Sequence, residues 1–133
     1  MKKPLKPEVD FRAWIKKAES DFKTAEHILT LKESCPFDTV CFHAQQCVEK
    51  YLKARLCEAG RRVYKVHDLA ALLDAVVAVE PLWESYRADL AYLSEFAVRF
   101  RYPGEAATKV MAQRARQLCR SFRTTARQAL GLR

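Results

Sequence analysis

The chain has 133 residues, half of them apolar, and a formal net charge of +8. This length fits one domain with its own hydrophobic core, and the scarcity of glycine among many good helix formers predicts an all-α fold. No apolar run approaches the roughly 18 residues that a membrane-spanning helix needs, and the basic N-terminus leads into no apolar signal segment. We therefore expect a cytoplasmic protein that has no membrane partner.

The first two predicted helices have recognisable ends. The first begins after Asp10, a suitable N-cap, and continues to near Lys32 with apolar residues at every third or fourth position. The second begins at Pro36, because proline suits the first turn of a helix, and ends near Gly60, because glycine tolerates the backbone conformation that follows a helix. A short connection therefore separates two long helices.

Three further helices are predicted in the second half of the chain. The third is shorter, with Asp68 as its N-cap, and it ends before Pro81. The fourth ends at the turn sequence Tyr102-Pro103-Gly104. Its apolar residues recur at helical spacing and are Leu82, Tyr86, Leu90, Leu93 and Ala97. The fifth helix extends from about Glu105 to Leu130.

The connections between these helices are short, which favours antiparallel neighbours. We therefore predict an up-and-down helical bundle of about five helices. The bundle is expected to form a single domain over residues 10–133, preceded by a flexible N-terminal segment of residues 1–9.

The second helix carries two unlike stripes of side chains. A core-facing stripe at three- and four-residue spacing contains Val40, Ala44, Val48, Tyr51 and Leu52. A second stripe on the opposite side contains Phe42, Gln46, Glu49 and Lys53. Because this stripe begins with a large aromatic residue, we expect it to be covered too, and its four residues are candidates for a homodimer interface.

No metal or cofactor is expected from the sequence. The five cysteines are an odd number without a Cys-x-x-Cys pair, and the three histidines are not paired in a zinc-binding pattern. The sequence also has no glycine-rich phosphate loop and no plausible Ser/His/Asp arrangement. Arginine would therefore have to hold any bound phosphate.

The fifth helix is strongly basic. Residues 106–133 hold seven basic residues, and five of them fall on one stripe about 60° wide at 100° per residue: Lys109, Arg116, Arg120, Arg123 and Arg127. No acidic residue follows Glu105, whereas residues 67–105 hold seven acidic and three basic residues. One interpretation is a site for RNA, nucleotide phosphates or an acidic partner. The other is a solvated face whose arginines pair with acids of the third and fourth helices.

Four segments together resemble the HEPN domain family. They are Ala18-Glu19-Ser20-Asp21-Phe22, Phe42 to Ala54, Val66-His67-Asp68-Leu69 and Arg101-Tyr102-Pro103. The resemblance implies a helical bundle that usually dimerises. It also implies a frequent partner, a minimal nucleotidyltransferase encoded alongside in toxin–antitoxin-like pairs.

Catalytic members of this family are metal-independent ribonucleases whose mark is an Arg, four to six residues and a His near the last helix. Here Arg99, Arg101 and Tyr102 lie at that junction, but no histidine follows His67 in the chain. The remaining match is Arg62, or equally Arg61, with His67, in the loop between the second and third helices. A chance match in a basic loop is the alternative interpretation.

Three functional hypotheses follow. The first is a non-catalytic binding or partner module that pairs with a nucleotidyltransferase-type protein. The second is a ribonuclease toxin that uses Arg62 and His67, and the third is nucleotide binding without turnover. Candidate residues for binding RNA, a nucleotide or a partner are Arg99, Arg101, Tyr102, Arg116, Arg120, Arg123 and Arg127.

Overall fold

A computed structural model of the protein describes residues 10–132. Its α-helices are α1 (Phe11–Leu29), α2 (Phe37–Glu58), α3 (Leu69–Val76), α4 (Arg87–Ser94) and α5 (Lys109–Ala129). Two short 3₁₀ helices, Pro81–Tyr86 and Glu95–Ala97, flank α4. The predicted all-α bundle is confirmed. The N-terminal segment of residues 1–9, predicted to be flexible, lies outside the described residues.

Polar side chains cap three of the helices. Asp10 accepts a hydrogen bond from the backbone N–H of Arg12 at 2.8 Å, and Asp68 caps α3 in the same way. Gly60 follows α2 with a φ of 71°, the left-handed conformation that glycine adopts without strain. The start of the last helix differs from its predicted position at Glu105. Thr108 caps it through the N–H of Met111 at 3.1 Å, so α5 begins at Lys109.

The predicted fourth helix is divided, and one of its predicted core residues is exposed. Leu82 is 87% exposed, whereas its neighbour Trp83 is buried. The cause is the 3₁₀ geometry of Pro81–Tyr86, because three residues per turn rotate the side chains away from the α-helical register. Trp83 instead packs edge-to-face on Phe122 of α5, with 5.2 Å between ring centroids.

Helix α2 lies at the centre of the bundle. It contacts each of the other four α-helices and the 3₁₀ helix Glu95–Ala97. The residues of its predicted core stripe are all fully buried: Val40, Ala44, Val48, Tyr51 and Leu52. Because α2 is surrounded on several sides, it positions most of the polar side chains described below. Within residues 10–132, none of the helices combines the length and apolarity needed to cross a membrane.

Candidate interaction surface

Phe42 and the segment that precedes α5 meet at one surface pocket. The ring of Phe42 is 39% exposed. The pocket has a volume of about 210 Å³ and is lined by Asp38, Thr39, Phe42, Phe96, Ala97, Phe100 and Arg101. Phe96 and Phe100 stack in it with 5.7 Å between ring centroids. The fold therefore brings a predicted interface residue of α2 beside the predicted functional junction.

The junction residues 98–104 are a series of turns whose side chains face solvent. Val98 is 59% exposed and Tyr102 is 76% exposed. Arg101 donates from Nε to the carbonyl oxygen of Ala97 at 3.3 Å. Arg99 instead pairs with Glu95, at 3.3 Å between Nη1 and Oε2. Arg99 also lies over the ring of Phe100, at 5.2 Å from the centroid. Both arginines thus make contacts within their own segment, and the aromatic ring of Tyr102 remains accessible.

Asp38 holds this junction against α2. Its Oδ1 accepts a hydrogen bond from the backbone N–H of Ala107 at 2.5 Å, across 69 positions of sequence. Ala107 is buried, so this bond satisfies a polar group that would otherwise be stranded inside the protein. The segment between α4 and α5 is therefore anchored at both ends, by Phe96 packing and by Asp38. We call the exposed parts of Phe42, Val98, Phe100, Arg101 and Tyr102 the junction surface.

The four residues of the predicted second stripe do not share one surface. Phe42 is exposed and Gln46 is partly buried, but Glu49 and Lys53 are only 2% and 3% exposed. The expectation that all four are available to a second subunit is therefore corrected for Glu49 and Lys53. The physical reason is that these two charges neutralise each other, at 3.1 Å between Nζ and Oε2, beneath other side chains of the same chain.

Glu49 is the centre of a buried polar cluster. Lys53 and Gln45 both donate hydrogen bonds to its carboxylate. The ring of Trp14 in α1 covers the ammonium group of Lys53, with 5.4 Å between Nζ and the ring centroid. His67 approaches from the surface, with its Nδ1 at 3.1 Å from Oε1 of Glu49. The buried carboxylate therefore has three polar partners.

The contact with Glu49 orients the imidazole of His67. A carboxylate accepts hydrogen bonds, so Nδ1 carries the proton in this geometry and Nε2 does not contact Glu49. The side chain of His67 is 64% exposed. A carboxylate-oriented imidazole is the arrangement of a general base. No hydrogen bond or ion pair joins Arg61 or Arg62 to His67 in the described chain.

A second carboxylate–histidine pair lies between α1 and α2. Asp21 is 7% exposed, and its carboxylate contacts Nδ1 of His43 at 2.8 Å and Nζ of Lys50 at 2.5 Å. The His43 ring packs edge-to-face on Phe42, at 5.5 Å between centroids. Sequence patterns gave no sign of this cluster, because Asp21 lies 22 positions away from His43. The contact with Asp21 holds the ring of His43 next to the exposed ring of Phe42.

The basic stripe of α5 is largely paired with acids of α1. Arg116 and Arg120 both contact Glu26, at 3.0 and 3.2 Å. Arg123 binds Glu19 through two nitrogens, and Arg127 lies 3.6 Å from the same carboxylate. The pairing with acids of the third and fourth helices proposed from the sequence is therefore wrong in its partners. The stripe instead meets the acids of α1, because α5 packs beside α1.

The charges of this α1–α5 contact stabilise one another. Burial raises the pKa of Glu19, but hydrogen bonds from Arg123 and Tyr51 outweigh it and lower the pKa below the usual 4.5. The hydrogen bond to Glu19 raises the pKa of Arg123. Burial and the same carboxylate raise the pKa of Tyr51. All three groups therefore keep their ordinary charge states at neutral pH, and the arginines are partly neutralised.

Cys41 and Cys47 are poor candidates for nucleophilic chemistry. The five cysteines form no disulfide bond with one another. Burial raises the pKa of Cys41 to about 12, and burial also raises the pKa of Cys47. A thiol with a raised pKa stays protonated and is a poor nucleophile. Among residues 10–132, no group of three or more His, Cys, Asp or Glu side chains is arranged to hold a metal ion.

The profile of the HEPN domain family matches residues 11–129. The chain belongs to the HEPN domain family. A crystal structure of TT1696 from Thermus thermophilus is similar to this HEPN domain, with a TM-score of 0.78 and 20% sequence identity. The alignment covers 90% of this chain and 97% of that one, and at this identity it shows a shared fold. A comparison with curated proteins finds no match.

This HEPN domain differs from the catalytic pattern at its last junction. Arg101 lines the pocket at this junction, and Arg99 forms an ion pair with Glu95 just before it. No histidine follows these two arginines in the chain. His67 lies on a different element, in the loop between α2 and α3, where Glu49 holds it. The structure therefore provides an arginine-bearing junction and a separate oriented imidazole.

Proposed function

We propose that this HEPN domain is a non-catalytic binding module that forms a homodimer through the junction surface. The proposal rests above all on one observation. Phe42 of α2, which the sequence predicts as an interface residue, lines one pocket with Phe100 and Arg101 of the junction. Two features that lie far apart in sequence thus belong to one surface.

The composition of the junction surface supports protein binding. It combines exposed aromatic rings with an arginine, and these residue types are enriched at the centres of protein interfaces. Aromatic side chains bury a large area with little loss of rotamer freedom. The pocket beside Phe42 offers a partner side chain a place to insert. A second copy of the chain would cover the exposed part of Phe42.

We further propose a nucleotidyltransferase-type protein as the heterologous partner, in a toxin–antitoxin-like system. Membership of the HEPN family supports this proposal, because members are often encoded beside such enzymes. The charge distribution is compatible with an acidic partner, since the net charge of the chain is +8. The test is co-purification of the tagged domain with the nucleotidyltransferase-type protein from a shared operon. Failure of the two proteins to associate when co-expressed would reject this partner.

A metal-independent ribonuclease that uses Arg62 and His67 is the second candidate. The contact between Glu49 and His67 favours it, because this contact fixes the ring through Nδ1 and leaves Nε2 without a bond to Glu49. Cleavage also needs a group that protonates the leaving oxygen, and arginine performs this step poorly because it holds its proton too tightly at neutral pH. Arg62 and His67 form no hydrogen bond or ion pair with each other in the described chain. We therefore favour binding without cleavage.

The homodimer is tested by changing Phe42 to Glu and measuring mass by light scattering at micromolar concentration. We expect the wild-type domain to be a dimer and Phe42→Glu to be a monomer, because an ionised carboxylate resists burial in an apolar contact. Leu82→Glu is the matched control. Leu82 is even more exposed, at 87%, but it does not line the junction pocket.

Two results would contradict the proposed interface. A monomeric wild-type domain would reject the homodimer itself. A dimer that survives Phe42→Glu and dissociates with Leu82→Glu would move the interface to the 3₁₀ helix before α4. Circular dichroism of each variant shows whether it remains folded.

A further inference from the structure

A second surface depression lies where α1 ends and α2 begins, and it has a volume of about 580 Å³. Its lining extends from Leu29, the last residue of α1, to Phe37, the first residue of α2, and it includes Lys109, the first residue of α5. The ends of three helices therefore meet there. Binding sites for small organic molecules have volumes of about 300–1,000 Å³. The depression is large enough for such a molecule.

Part of the wall of this depression is apolar. Leu29, Leu31 and Phe37 line it, and Leu31 is 45% exposed. Cys35 lines it too, and its thiol donates a hydrogen bond to the carbonyl oxygen of Ile28 at 3.3 Å. The polar hydrogen of this thiol is thus already used within the chain. Covering an apolar wall with a hydrocarbon group removes apolar surface from water, which favours a ligand that has a hydrocarbon part.

Two lysines in the same lining carry charge that the fold does not neutralise. Lys32 lies in the connection between α1 and α2, Lys109 lies at the start of α5, and both are exposed. In the part of the chain that the structure describes, neither side chain has a hydrogen bond, an ion pair or an aromatic contact. Glu33, the acid of the same connection, does not line the depression. The depression is therefore positively charged, and the complementary group of a ligand is an anion.

Acidic side chains at this end of α1 and α2 already have partners. Glu26 contacts Arg116 and Arg120, at 3.0 and 3.2 Å. Asp38 accepts a hydrogen bond from the backbone N–H of Ala107. Neither carboxylate lines the depression. An anion that enters the depression therefore meets the two lysines without displacing a carboxylate of the fold.

Ser34 contributes a strained backbone and a hydroxyl group to the same lining. Its φ is 51°, the left-handed conformation that is uncommon for a residue with a Cβ atom. Backbone strain of this kind costs free energy and is concentrated at active sites and ligand-binding segments. Within residues 10–132 the exposed hydroxyl of Ser34 forms no hydrogen bond. It is thus a third donor available to an anionic group.

We propose that this depression binds a small amphipathic carboxylate, an ionised aliphatic acid such as octanoate. The ammonium groups of Lys32 and Lys109 hold the two carboxylate oxygens, and the hydroxyl of Ser34 donates a further hydrogen bond. The hydrocarbon chain covers the apolar wall. The site shares no residue with the junction surface, so it depends neither on the homodimer nor on the nucleotidyltransferase partner.

The test follows the backbone amide signals of the isotope-labelled full chain by NMR during titration with octanoate. Two control probes separate the contributions of charge and chain. Octylammonium has the same chain with the opposite charge, and acetate has the charge without the chain. We expect octanoate to shift signals of residues 29–37 and 109–110 and to bind at least tenfold more tightly than either control probe.

Three results of this titration would overturn the proposal. Equal affinity for octylammonium would show that the lysines do not select an anion. Equal affinity for acetate would show that the apolar wall takes no part. Shifts confined to the junction surface, or no shifts at all, would show that octanoate does not bind in the depression.

Charge reversal tests the two lysines. The test variant is Lys32→Glu/Lys109→Glu, and the matched control is Lys16→Glu/Lys23→Glu, which reverses two exposed lysines of α1 outside the depression. Both variants have the same net charge, so a difference between them reports the position of the charge. We expect the test variant to lose at least tenfold in affinity for octanoate and the control to lose less than twofold. Equal losses would contradict the proposal.

Two further variants separate the contacts of the head group from those of the chain. In the wild type, each methylene added between hexanoate and octanoate should strengthen binding about two- to fourfold, because it is buried against the apolar wall. Leu31→Asn should reduce this gain. Ser34→Ala keeps the backbone strain and should weaken hexanoate and octanoate by the same factor. A wild-type affinity that does not depend on chain length would reject the role given to the apolar wall.

Discussion

Arg123 of α5 binds both carboxylate oxygens of Glu19 in α1, with distances of 2.7 Å from Nε and 2.6 Å from Nη2. Tyr51 of α2 donates its hydroxyl hydrogen to the same carboxylate, so three helices meet at one acidic side chain. The guanidinium of Arg123 also covers the ring of Phe22, at 4.1 Å from the centroid. This contact explains why the basic face of α5 is a packing surface of the bundle.

Glu19→Gln is expected to destabilise the domain. The amide keeps the shape of the side chain but removes the charge that neutralises Arg123, which is only 26% exposed. Loss of a charge-assisted, partly buried contact of this kind costs about 1–3 kcal/mol in the free energy of unfolding. Urea denaturation measures the change. Glu33→Gln, at an exposed position, is the control and should leave the midpoint unchanged.

The stability that Glu19 contributes should decrease as the pH becomes acidic. Its pKa is lower in the folded protein than its usual value of 4.5, although burial alone would raise it. The folded state therefore favours the ionised form. The contribution is complete above about pH 4.5, and it is lost as the pH falls through the folded-state pKa. The difference in unfolding free energy between wild type and Glu19→Gln should shrink in that acidic range. A constant difference down to about pH 3 would contradict this assignment.

Breaking the pair formed by Glu49 and Lys53 should be more harmful than replacing it. Lys53→Met leaves the buried carboxylate of Glu49 without its cation and is expected to cost about 3–5 kcal/mol. The double variant Glu49→Gln/Lys53→Met removes both charges and keeps the hydrogen-bonding shape. It should recover more than half of that loss, as measured in a double-mutant cycle by urea denaturation. A double variant that is less stable than Lys53→Met would contradict this prediction, because it would show that the contacts of Glu49 with Gln45 and His67 outweigh the cost of its unpaired charge.

The purified domain should leave single-stranded RNA intact at neutral pH in the presence of a chelator. The arginines of the junction have no histidine after them, and the phenol of a tyrosine is a poor general base at neutral pH. Gel analysis of a labelled RNA measures the outcome. Cleavage that persists through purification and disappears in His67→Ala would favour the ribonuclease candidate, with Arg62 and His67 as its residues and Glu49 orienting the imidazole.

The two junction arginines should differ in their effect on stability. Arg101 donates to the carbonyl of Ala97, whereas Arg99 forms an exposed pair with Glu95. Exposed ion pairs contribute little, so Arg99→Ala should shift the Tm by less than about 1 °C. Arg101→Ala should lower the Tm by about 1–3 °C, because the backbone carbonyl of Ala97, at the end of the 3₁₀ helix that follows α4, loses a partner. Differential scanning calorimetry distinguishes these values. Equal shifts would show that Arg101 has no anchoring role.

Local patterns in the sequence were sufficient for the fold. The helical periodicity, the N-caps Asp10 and Asp68 and the position of Gly60 all depend on residues within a few positions of one another. Such signals are read along the chain without knowledge of the packing. Two details differed. A change from α to 3₁₀ geometry shifted the buried position from Leu82 to Trp83, and α5 begins at Lys109 and not at the predicted Glu105.

The partners of the charged side chains were decided only by the tertiary structure. Nothing near Arg123 in sequence indicates Glu19, which lies 104 positions away, and periodicity alone placed Glu49 and Lys53 on an outer face. Because α1 packs beside α5, acids of α1 neutralise the basic stripe of α5. Because α1 and the loop that carries His67 pack over α2, the pair formed by Glu49 and Lys53 is buried. Whether a charge faces solvent depends on which helix covers it, and that depends on contacts among all the helices at once.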